Sequence, residues 1–90
     1  MIDLRALTEA VSELEEEKVL EMVDGFIAEN PSDEETQKVI AACQDGMTIV
    51  GQNFEKGDYF IGDLIYAAEI MSRAFEKLKA VISNENVENI

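Results

Sequence analysis

Histidine and tryptophan are absent from the 90 residues, cysteine and proline occur once each, and seven basic residues stand against twenty carboxylates. Each scarcity excludes a class of chemistry. Without histidine the chain lacks the commonest general base and the commonest transition-metal ligand. The single cysteine, Cys43, forms no internal disulfide, which agrees with a reducing compartment. It falls on an apolar helix face with no partner base, so it reads as a buried thiol rather than a nucleophile. A net charge of −13 repels phosphates and anionic headgroups, which argues against nucleic-acid or membrane-surface partners. No apolar run reaches the length that spans a bilayer, and MIDLRALTEA, with an acid at position 3, lacks the features of a secretory signal. The expected location is the cytoplasm. No metal site is expected, because the Glu13, Glu15, Glu16, Glu17 cluster has no calcium-loop spacing and suits a solvated helix start. Gly51, Gly57 and Gly62 do not form a phosphate loop, Asp58 and Asp63 suit capping and solvation, and no nucleophile–base pair is present. The chain is therefore not expected to be an enzyme by itself.

What is there is helical patterning. At 47% hydrophobic and 30% charged, the composition is that of one small globular domain. Ile2, Leu4, Leu7, Val11 and Leu14 recur at intervals of three and four and predict a first helix over 3–13. The acidic run Glu15–Glu17 then opens a second over 15–29, its apolar face formed by Val19, Leu20, Val23, Phe26 and Ile27. Asn30-Pro31-Ser32 breaks the chain, and Ser32 with Glu35 has capping-box spacing for a third helix over 33–56. Apolar spacing through Val39, Ile40, Cys43, Met47, Val50 and Phe54 crosses Asp45-Gly46 without a change of phase, so that pair is read as helix rather than turn. Gly46 and Gly51 each cost about 1 kcal/mol relative to Ala in a helix interior, which suggests close approach of another backbone or a ligand. Gly57 stops the third helix, and Asp58 is expected to cap a fourth over 59–82, with Lys77 and Lys79 near its negative end. The predicted fold is an all-α antiparallel four-helix bundle over residues 1–83, followed by a polar, frayed tail over 84–90.

The fourth helix has more apolar surface than one core stripe needs. Phe60, Leu64, Ala67, Met71, Phe75, Leu78 and Ile82 read as the stripe facing the core. Ile61, Leu64, Ile65 and Ala68 form a second strip some 70–110° around the helix at 100° per residue, confined to its N-terminal half. Phe54, Ile61, Leu64 and Ile65 thus make either one exposed apolar patch, of the kind that marks a binding surface, or part of a wide interior.

The run DGMTIVGQNFEKGDYFIGDLIYAAEIM (45–71) resembles the helical domain that precedes the cobalamin-binding domain in methyltransferase-associated corrinoid proteins, and that caps cobalamin in methionine synthase. LTEAVSELEEEKVLEMVDGFI (7–27) is similar to the first two helices of that family. The most specific part is carried by Gly46, Met47, Val50, Gly51, Phe54, Gly57 and Phe60, and the resemblance covers residues 3–82. It implies a cap that lies over the upper face of a corrin and moves aside for a methyltransferase, with Phe54, Ile61 and Leu64 facing the ring and Val50, Gly51 and Ile65 beside them. The family commonly has proline where Gly62 stands. Its Rossmann-like domain, with a D-x-H-x-x-G motif, has no counterpart in these 90 residues, so cobalamin is expected only together with a separate cobalamin-binding domain. The implied partners are that domain and a methyltransferase; the alternative is a stand-alone helical interaction module in which the same patch pairs with itself, as a dimer, or with another helical protein.

Overall fold

The computed structural model describes the backbone of residues 2–86 and the side chains of residues 2–82. Four helices follow in order: α1 (Leu4–Ser12), α2 (Glu16–Ile27), α3 (Asp33–Lys56) and α4 (Ile61–Asn86). The all-α bundle read from the sequence is what forms. Around it the order is α1, α3, α4, α2, with α1 packed on α3, α2 on α4, and α3 beside α4. Successive helices run antiparallel. The α1–α3 pair advances in one sense, since Thr8 meets Ala42 and Val11 meets Gly46. The domain is two layers of two helices, and among the described residues no helix lies over the far side of the α3–α4 layer.

Local chemistry sets the helix ends. Asp3 accepts the Ala6 amide at the start of α1. Its end at Leu14 is left-handed, φ 61°, and the Leu14 and Glu15 amides return to Val11 and Ala10 oxygens at 3.1 and 3.0 Å. That is the paired hydrogen-bond pattern of a Schellman stop, here without glycine. Ser32 and Glu35 form the expected capping box on α3, at 3.1 Å from Glu35 N to Ser32 Oγ and 2.9 Å from Ser32 N to Glu35 Oε1. Helix α3 passes unbroken through Asp45-Gly46.

The start of α4 differs from the expectation. Gly57, with φ 89°, closes α3 through its own amide to the Phe54 oxygen. The Asp58 and Tyr59 amides both turn back to the Asn53 oxygen, at 2.9 and 3.1 Å. Those residues are spent ending one helix and so do not begin the next, which starts at Ile61 rather than 59. Asp58 is not its cap. Asp63 accepts the Phe60 amide at 2.9 Å instead, the reach-back half of a capping box. At the other end α4 runs on to Asn86, past the predicted 82; residues 87–90 lie outside the described residues. Lys77 and Lys79 are therefore not last-turn cations: Lys77 pairs across to Asp24 of α2 at 3.0 Å, and Lys79 with Glu76 on its own helix at 3.5 Å.

Leu7, Val11, Val19, Val23, Phe26, Val39, Cys43, Ile70, Ala74 and Leu78 form the heart of the core. Three close approaches lock the layers. Thr8 Oγ1 donates to the Ala42 carbonyl at 2.9 Å. Tyr59 Oη donates to the Ser12 carbonyl at 2.6 Å and ties the α3–α4 turn to the end of α1. At Gly46 a Cβ would stand 2.6 Å from Val11 Cβ and 3.0 Å from the Thr8 carbonyl oxygen, so α1 rests on bare backbone there. The close approach expected of Gly46 is thus to another helix.

Candidate functional site: the open face of the α3–α4 layer

The stripe of α4 that faces the core is Ala67, Ile70, Met71, Ala74 and Leu78. The predicted stripe had Ala67, Met71 and Leu78 right and two members wrong: Phe60 is 73% exposed and Phe75 38%. Phe60 precedes the first helical residue, where no neighbour covers it. Phe75 lies about 140° from Ile70 at 100° per residue, toward solvent. Leu64 and Ile82 are half-buried at the margin. Small Ala67 and Ala74 let neighbouring helices come close, and the Glu16–Arg73 and Asp24–Lys77 pairs lie along the side of α4 that meets α2.

The second strip is solvent-facing. Ile61 is 67% exposed and Ile65 65%, Ala68 is exposed and Leu64 half-buried. On α3, Phe54 continues the side that holds Cys43 and Val50 in the core, yet at the last turn it is 41% exposed. Val50, by contrast, is fully buried, so it backs this surface from beneath and is not part of it. Gly51 is half-buried, and a Cβ added there or at Gly62 would meet nothing within 4 Å. Ile61 and Ile65 therefore lie on the open α3–α4 face with Leu64 at its margin, Phe54 stands at the same end of the bundle where the inner side of α3 runs out, and the alternative of a wide interior fails for Phe54, Ile61 and Ile65.

Residues 3–79 match the family described as B12 binding domain. The chain belongs to that family. This B12 binding domain is of the helical type that precedes the cobalamin-holding part of corrinoid proteins, as the resemblance implied. It is 36% identical over 77 residues to dimethylamine corrinoid protein 3 of Methanosarcina acetivorans, which covers 86% of this chain and 35% of that protein. Its fold matches the crystal structure of a cobalamin-binding protein from Desulfitobacterium hafniense with a TM-score of 0.84 and 47% identity, over 90% of this chain and 39% of that one. The B12 binding domain thus spans little more than a third of either relative.

The chemistry of the face suits covering a flat apolar body and does not suit holding a cobalt ion. At this end Phe54, Ile61, Leu64 and Ile65 are aliphatic or aromatic, Gly51 and Gly62 leave backbone uncovered, and the sequence has no histidine. Among the described residues no group of three or more His, Cys, Asp or Glu side chains is placed to hold a metal, and no helix is long and apolar enough to cross a membrane. Cys43 is fully buried and burial pushes its thiol up to about 11, so it remains protonated and inert at neutral pH. The hollow between Glu15, Glu16, Glu17, Lys18 and Tyr66 is an open acidic surface; Tyr66 donates to Glu16 at 3.3 Å.

Proposed function

We propose that this domain is the cap of a corrinoid methyl-transfer system, in which the open end of its α3–α4 layer covers the upper face of methylcobalamin carried by a separate cobalamin-binding domain. The cofactor supplies a transferable methyl group when bound. The residues of this chain supply a lid. Phe54, Ile61 and Leu64 lie against the ring and exclude water, Ile65 and Gly51 flank them, and Val50 supports Phe54's turn from the core. Burial of such side chains is worth about 25 cal/mol per Å² of apolar surface removed from water, enough to seat a lid yet let it lift. The lifted cap then gives a methyltransferase access to the cofactor. In this reading the domain is not a catalyst and acts in the cytoplasm.

The observation that supports this most is the exposure of Phe54, Ile61 and Ile65 in a domain of this family. The trial is photolysis. A cobalamin-binding domain loaded with methylcobalamin is illuminated with and without this chain. Slower photolysis with the chain, lost in Phe54→Ala and Ile61→Ala, is the expected result; equal rates in all mixtures count against the proposal. A second reading, self-association through the same patch, is favoured by Phe60, which is 73% exposed and not among the ring-facing positions. Sedimentation at rising concentration detects it, and a monomer throughout removes it.

A further inference from the structure

The open face does not stop at the patch. From Ile61 to Ile82 it extends about 31 Å along α4 at 1.5 Å per residue, and only its first turns belong to the proposed cap surface. Beyond Ala68 the groove between α3 and α4 is lined by Met47, Met71 and Phe75, then by Ile40 and Ile82. Its polar lining near the middle is uncharged, Gln44 and Ser72. In a chain with twenty carboxylates, that stretch without charge stands out. Depletion of charge at an apolar centre is the compositional mark of a protein interface, and methionines make such a surface adaptable.

Charge selects the occupant. Glu55, Glu69 and Glu76 are exposed beside this face, and Lys79 in the lining is already 3.5 Å from Glu76. A second copy would bring another −13 against this one. An apolar body with a cationic rim meets both the floor and the border. The groove lies between two antiparallel helices, with residues presented at three- and four-residue intervals, which is the shape that accepts a third helix.

We propose that the distal α3–α4 groove, centred on Met47, Met71 and Phe75, docks an amphipathic helix of a partner protein whose apolar stripe is flanked by Lys and Arg. This docking does not depend on the cap reading, since it uses a different stretch of the face.

The probe is a synthetic helical peptide with Leu and Phe at i, i+3, i+4 and i+7 and Lys and Arg at the flanks, added to the full chain labelled at methionine methyls. The Met47 and Met71 signals shift saturably with one peptide per chain. Phe75→Glu weakens binding by roughly tenfold or more, the effect of a charge at the centre of an apolar contact. Phe54→Ala leaves it unchanged while testing the cap surface separately, and a peptide with Glu at the flanks does not bind. Three results overturn the proposal: unmoved methionine signals, binding that ignores Phe75→Glu and so reflects charge alone, or methionine shifts that follow the chain's own concentration and thereby identify a second copy as the occupant.

Discussion

Helix α3 has two glycines five residues apart, and they face different worlds. Gly46 is buried and a methyl group there would collide with Val11; Gly51 is half-buried and a methyl group there would touch nothing in the chain. The contrast extends to the whole α3–α4 layer. Its inner side, with Val39, Cys43, Ile70 and Leu78, is determined by the fold. Its outer side, with Ile61 and Ile65, is apolar and about two-thirds exposed, so it adds little to the stability of the isolated chain, while Phe54 and Phe75 are more than half covered and stand between the two.

Substitutions on the two sides should therefore separate cleanly in chemical denaturation. Ile70→Ala, at a fully buried site, is expected to cost about 2–5 kcal/mol. Gly46→Ala comes next: the Cβ clash with α1 outweighs the better helix propensity of alanine, for a net loss of about 1–3 kcal/mol. If α1 simply moved away at no cost, the inner face would be less tightly determined than its packing shows.

Cys43 gives the inner side a pH signature. Its thiol ionises near 9.0 when unfolded and near 11 in the fold, because burial disfavours the thiolate. The unfolded chain therefore releases this proton first as pH rises. The stability that Cys43 contributes is whole below pH 9 and lost progressively between 9 and 11. Urea midpoints should fall more steeply over that interval in the natural chain than in Cys43→Ala; parallel curves would show that the thiol is not shielded.

The outer side reverses the sign. Gly51→Ala is expected to stabilise the isolated chain by about 0.5–1 kcal/mol, since helix propensity improves and nothing is displaced. The same change should weaken photolysis protection, because the added methyl holds the ring away. Stabilisation without loss of protection would show that Gly51 lies outside the contact. Smallest of all, Ile61→Ala should move stability by no more than about 0.5 kcal/mol in either direction.

The legible parts of the sequence were those governed by neighbours three or four residues apart. Ser32 with Glu35 specified a helix start, Gly57 a stop, and the unbroken apolar phase across Gly46 a continuous α3. The second strip on α4 was legible for the same reason, since Ile61, Ile65 and Ala68 share one side of a helix whatever surrounds it. The core stripe of α4 was not. Apolar residues there occupy a wide arc, and which part turns inward depends on where α2 and α3 lie, a tertiary fact that spacing within α4 does not carry. Large side chains at Phe60 and Phe75 drew the expectation outward, while the small Ala74 and the buried Ile70 held the true centre. The cap at Asp63 was obscured because the Gly57 stop uses the two amides that follow it. Val50 shows the converse limit: a residue of the resemblance's most specific pattern is fully buried in the core.

The most direct test uses isoleucine methyl signals and a paramagnetic partner: a cobalamin-binding domain loaded with the Co(II) form of the cofactor, whose unpaired electron broadens nearby resonances, added to this chain. Selective loss of the Ile61 and Ile65 methyl signals, with Ile27 at the far end of the bundle unaffected, is the predicted result. Ile61 and Ile65 signals that persist beside a bound partner, or that fade no faster than Ile27, would contradict the covering of a corrin by this face.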